Sequence, residues 1–168
     1  MKTLFGLPAH PFFVHLPLVA VPSLAVCLAV MVFSPRSTRA LMPLTACISM
    51  VVGAGLVLAS ASGEALVDAL PYLRDEPFVN EHIRSSETAR LWGVLTMTGV
   101  LIAWGSRRFA PSALRTPRVS RGILVLALVL SAATTIHTIR AGHAGTKARW
   151  FDIRLPGSEA QQTHRGAD

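Results

Sequence analysis

The chain has 168 residues, of which 51% are hydrophobic and only 15% charged, with a mean hydropathy of +0.48. That length fits one domain, and that composition excludes an ordinary soluble one. The formal charge of +7 does not point to nucleic acid. The basic residues sit in short segments between apolar runs, and too little polar chain remains to build a soluble nucleic-acid-binding scaffold.

Residues 3–35, 40–63, 91–106 and 122–139 carry no Asp, Glu, Lys or Arg. A spanning helix needs about 20 mostly apolar residues, so the pattern predicts an all-α, four-transmembrane-helix bundle. The first helix is expected over 12–33. It is too long for a signal-peptide core, lacks a small-residue cleavage site and carries His15, Pro17 and Pro22, which predict an irregular start. The second is expected over 41–61, with Gly55, Ala59 and Gly63 at i+4 spacing, a stripe that lets another helix approach closely.

The third uncharged run, Leu91 to Ser106, has only 16 residues. Its helix must recruit upstream neighbours and is expected over 79–106. The fourth is expected over 122–139. Residues 1–152 then form one transmembrane domain and 153–168 a polar, disordered tail. Cys27 and Cys47 lie inside apolar runs and offer neither a disulfide framework nor a CxxC motif. No internal repeat is evident.

Four crossings place both termini on one side. The loops on the other side hold Arg36, Arg39, Arg107, Arg108, Arg115, Arg118 and Arg121 and no acid, whereas residues 64–90 hold six acids and three arginines. The positive-inside rule makes the arginine loops cytoplasmic and the termini extracytoplasmic, in a multi-pass protein of a bacterial inner (plasma) membrane.

This topology gathers polar groups at the outer rim. His10 and His15 flank the start of helix 1, and Glu64 and Asp68 follow helix 2. His82 precedes the apolar part of helix 3, and His137 and His143 flank the end of helix 4. Histidines in a membrane span are costly and seldom idle. Neutral imidazole suits Zn, Cu and Fe, including haem iron, and bundle cores hold such cofactors between facing helices. A haem b would take two axial histidines from among His15, His82, His137 and His143. A Zn, Cu or Fe ion would instead use three or four of His10, His15, Glu64, His82 and His143, with His137 a further candidate. No HExxH or CxxCH signature narrows the choice.

The segments "LPAHPFFVHLPLV" (Leu7 to Val19), "SGEALVDALP" (Ser62 to Pro71), "NEH" before helix 3 and "AGHAGTKARW" (Ala141 to Trp150) resemble the bacterial membrane proteins grouped as domain of unknown function 2231, over roughly residues 5–152. The resemblance implies a four-helix membrane fold. It maps onto His10, Pro11, His15, Pro17, Gly63, Glu64, His82, Gly142, His143 and Gly145, and it implies no activity.

The leading expectation is a small membrane redox protein holding haem b or a transition metal, with the bilayer, a redox partner or a second copy as its partners. A metal or proton transporter is the alternative, although the middle of the bundle offers only Ser49, Thr96 and Thr98 as polar steps. A structural subunit without a cofactor is a third reading. A stand-alone enzyme is not expected, because Ser60, Ser62 and His82 do not form the nucleophile-elbow pattern G-x-S-x-G.

Overall fold

The computed structural model describes residues 3–109 and 116–150. Among them the chain forms four long helices: α1 (His10–Phe33), α2 (Thr38–Ala69), α3 (Pro77–Phe109) and α4 (Pro117–Trp150). A two-residue antiparallel pair, β1 (Thr3–Leu4) with β2 (Leu7–Pro8), precedes them. Its turn residues Phe5 and Gly6 have φ of 50° and 78°, the left-handed geometry of a two-residue hairpin, which Gly6 adopts without a Cβ penalty. Helices α2, α3 and α4 run longer than the uncharged stretch within each, because ends that leave the apolar layer keep their hydrogen-bond ladder in polar surroundings, whereas α1 lies wholly inside its uncharged stretch. The expected tail, 153–168, lies outside the described residues.

Helix α1 begins with Pro11 in its first turn, where the missing N–H costs nothing, and passes through Pro17 and Pro22 without a break in helix assignment. It turns into α2 through a single 3₁₀ turn, Pro35–Ser37. A second such segment, Pro71–Asp75, joins α2 to α3, where Arg74 pairs with Asp68. Three segments are long and apolar enough to cross a membrane: His10–Phe33, Pro35–Ala69 and Arg118–Lys147. The charged first half of α3 separates it from these, in line with its short uncharged run.

Helix α1 packs on α2 and α4, and α3 packs on the same two, so α1 and α3 lie across the bundle diagonal. The core positions follow a spacing of alternating three and four residues. In α1 they include Pro17, Val21, Leu24, Leu28 and Met31, and in α3 they are Ala89, Gly93, Thr96, Val100 and Ala103. That spacing gives each helix one narrow seam facing its partners, as in antiparallel bundles. The outward faces carry Leu18, Val19, Val26, Val129 and Ile139, each at least 60% exposed. Water would penalise such a surface and lipid does not.

The five buried positions of α3 each match a buried position of α1 at a shift of 72 residues, while Ala20 and Val32, also buried in α1, correspond to the less buried Trp92 and Trp104. The same holds in the second hairpin. Buried Met42, Thr45, Ser49, Val52, Ala59 and Ser62 of α2 correspond to buried Leu124, Ala127, Ser131, Thr134, Ala141 and Ala144 of α4, a constant shift of 82. The bundle is therefore a repeated helical hairpin, α1–α2 then α3–α4. Most side chains at matched positions differ, Ser49 with Ser131 and Ala59 with Ala141 being the identical pairs, and the repeat shows chiefly in the pattern of burial.

A candidate paired-imidazole site at one end of the bundle

The start of α1, the end of α2, the start of α3 and the end of α4 meet at one end of the bundle, so both described ends of the chain lie there. His10 on α1 places Nδ1 3.0 Å from the carbonyl oxygen of Ala59 on α2 and 3.3 Å from Ser62 Oγ. His82 on α3 places Nδ1 2.8 Å from the carbonyl oxygen of Ala141 on α4. A carbonyl only accepts, so each imidazole donates from Nδ1–H, and in the neutral ring the lone pair is then on Nε2.

Each ring also lies against a glycine one turn beyond the carbonyl that it uses. A Cβ on Gly63 would sit 3.1 Å from His10 Cε1, and one on Gly145 would sit 3.0 Å from His82 Nδ1. The two halves of the repeat thus share one device: an imidazole at the start of the first helix, and an alanine carbonyl with a glycine four residues later near the end of the second. The two rings meet across the diagonal with centroids 6.0 Å apart and planes at 81°.

A cavity of about 120 Å³ adjoins the pair, bordered by residues of all four helices. Glu64, Glu87 and Leu18 stand exposed at its margin, and Glu64 Oε1 lies 3.6 Å from Arg90 Nη1, tying α2 to α3. Thr138 also borders the cavity, and its buried Oγ1 has no hydrogen-bond partner.

The other expected ligands lie elsewhere. His15 is exposed, with Nδ1 2.6 Å from the carbonyl oxygen of Pro11 one turn back on its own helix. His143 is exposed on α4. His137 borders a separate polar groove between α3 and α4. Among the described residues, no group of three or more His, Cys, Asp or Glu side chains is placed to hold a metal ion. The expected convergence of five imidazoles therefore reduces to two, His10 and His82. A histidine on a helix reaches only one face, and sequence depth does not say which.

The carbonyls of Ala59 and Ala141 and the hydroxyl of Thr138 were not among the candidate site groups expected from the sequence. The signal that could have found the first two is the repeated Ala-x-x-x-Gly spacing, Ala59 to Gly63 and Ala141 to Gly145. By contrast, the small-residue stripe on α2 behaves as its spacing predicts. A Cβ on Gly55 would meet Leu16 Cβ and Pro17 Cδ at 3.3 Å, Ala59 supplies the carbonyl and Gly63 seats the ring, so the stripe faces α1.

Fold and site together define a helical membrane protein with a pair of oriented imidazoles at one end of a four-helix bundle. Within that class, the chain belongs to the family described as predicted membrane protein (DUF2231), whose model matches residues 6–153. No curated protein and no solved structure matches it.

Proposed function

We propose that this protein is a small electron carrier of the membrane that holds haem b between His10 and His82. The observation that carries the reading is the pair itself. Two imidazoles from diagonal helices each spend Nδ1–H on a backbone carbonyl, which fixes ring orientation and leaves Nε2 as a ligand, the usual arrangement behind metal-bound histidine. A metal–imidazole bond is about 2 Å. A metal held by both rings would need their centroids roughly 6 Å apart, and the two centroids are 6.0 Å apart.

Ligand count favours haem over a bare Zn, Cu or Fe ion. Zinc sites draw three or four ligands from the protein, whereas a six-coordinate haem asks only for two axial ones. The partnerless Thr138 Oγ1 bordering the same cavity supports a polar or charged guest there. Cofactor pockets run to roughly 300–1,000 Å³, so a macrocycle would need more room than the cavity of about 120 Å³, and the exposed Leu18 and Glu87 at its margin would have to give way. Haem would supply a one-electron couple, and the chain's part is to fix two ligands and exclude water. The orientation expected from the arginine loops puts this end outside a bacterial inner membrane, within reach of an extracytoplasmic redox partner.

The test is the absorption spectrum of the full chain purified in mild detergent after haem loading. A Soret band is expected that is lost in His10→Ala and in His82→Ala and kept in His15→Ala. A protein that stays colourless through haem titration rejects the reading.

A second reading is structural, and the inter-helix hydrogen bonds together with the seating of each ring on a glycine favour it. Each histidine then acts as a clasp closing its own hairpin. Under this reading the same two variants lose stability while the wild type takes up no haem.

A further inference from the structure

The groove that holds His137 lies between the start of α3 and the end of α4. It shares no lining residue with the paired-imidazole cavity and is an open groove with a volume of about 440 Å³. Arg84 reaches it from α3 and Arg140 from α4, with Ser85, Thr88 and a single acid, Glu81, beside them. Among the described residues the ion pairs are Arg74 with Asp68 and Arg90 with Glu64. Arg84 and Arg140 therefore have no carboxylate partner there, and the groove carries a net positive charge.

Its depth is fixed by the sequence. Arg140 ends the uncharged run Gly122 to Ile139, so the groove sits where the apolar layer gives way to headgroups. Guanidinium groups from two helices, in a basic pocket at that level, present the donor geometry that phosphate oxygens take.

We propose that this groove binds the phosphate of an anionic membrane phospholipid. Arg84 and Arg140 are the charged contacts and His137 a third donor, and the acyl chains run down the exposed apolar faces of α3 and α4. A phosphate monoanion balances two arginines and one glutamate, whereas a zwitterionic headgroup brings an ammonium that the arginines repel. The site does not depend on the haem reading, and its ligand is a different one.

The test is native mass spectrometry of the full chain released from micelles containing dioleoylphosphatidylglycerol, dioleoylphosphatidylcholine or inorganic phosphate. Retention of phosphatidylglycerol over phosphatidylcholine is expected, and Arg84→Gln with Arg140→Gln weakens it about tenfold while helical circular dichroism is unchanged. His137→Gln, which keeps a donor, retains most of it. Three results would overturn the proposal: equal retention by wild type and the double variant, an equal loss on replacing Arg107 and Arg108 at the other end of the bundle, or inorganic phosphate displacing the lipid.

Discussion

His10 and His82 stand 6.0 Å apart, centroid to centroid, with their ring planes at 81°. They lie on helices that do not flank one another, and each is tied to a different neighbour. Their meeting is a product of the repeat: the same device, built twice, comes face to face across the bundle. A ligand shared by both rings would bridge the two hairpins, which among the described residues are joined by packing and by the Arg90–Glu64 pair.

The hydrogen bonds of these rings make their loss measurable in thermal unfolding in detergent. His10→Ala and His82→Ala are each expected to cost about 1–3 kcal/mol, since a carbonyl loses its donor and the seat beside a glycine empties. His15→Ala, at an exposed ring bonded within its own helix, is expected within about 0.5 kcal/mol of wild type. Equal losses at all three positions would mean that the pairing contributes nothing special.

The glycines separate in the same way. Gly63→Ala and Gly145→Ala set a Cβ 3.1 and 3.0 Å from imidazole atoms that are already tethered, so each ring must shift off its carbonyl, and a loss of about 1 kcal/mol is expected. Gly142→Ala, on the same turns of α4, meets nothing within 4 Å and gains up to about 1 kcal/mol from helix propensity. A midpoint that rises in all three variants would show that the rings have room to give.

Ser131 is buried and its Oγ has no partner. Removing an unsatisfied hydroxyl removes a desolvation cost, so Ser131→Ala is expected to be neutral or to stabilise by up to about 1 kcal/mol. Thr96→Val supplies the contrast: its Oγ1 meets Thr134 Oγ1 at 3.1 Å across α3 and α4, and about 1 kcal/mol of loss is expected. Denaturation of the two variants side by side would decide it, and a destabilised Ser131→Ala would reveal a partner for that hydroxyl.

Orientation is tested with single cysteines after Cys27 and Cys47 are replaced by alanine. A membrane-impermeant thiol reagent applied to intact cells should label Tyr72→Cys, in the segment between α2 and α3, and spare Ser37→Cys, between α1 and α2. The reverse pattern would put the imidazole end inside.

The number of helices, their order and the close approach of α2 to α1 were legible in the residues, because each rests on local composition. Runs without charge mark what lipid tolerates, and Gly55, Ala59 and Gly63 mark where a neighbour can come near. The repeat was hidden for a physical reason: burial needs only small or apolar side chains at a given spacing, so Leu28 and Val100, or Ser62 and Ala144, fill equivalent places without resembling each other. The site was half legible. His82 was an expected ligand and His10 was placed only in the metal set, while His15, His137 and His143 lie near the same end of the bundle without joining the pair.

Hydropathy alone determined that this chain lives in a bilayer as a helical bundle, because unsatisfied backbone and charge cannot be hidden in hydrocarbon except in helices. Which imidazoles meet was decided only by tertiary packing. A helix turns each successive residue by about 100°, so partners at one height are chosen by the rotation of four helices about their axes, and that rotation is set by the core seams.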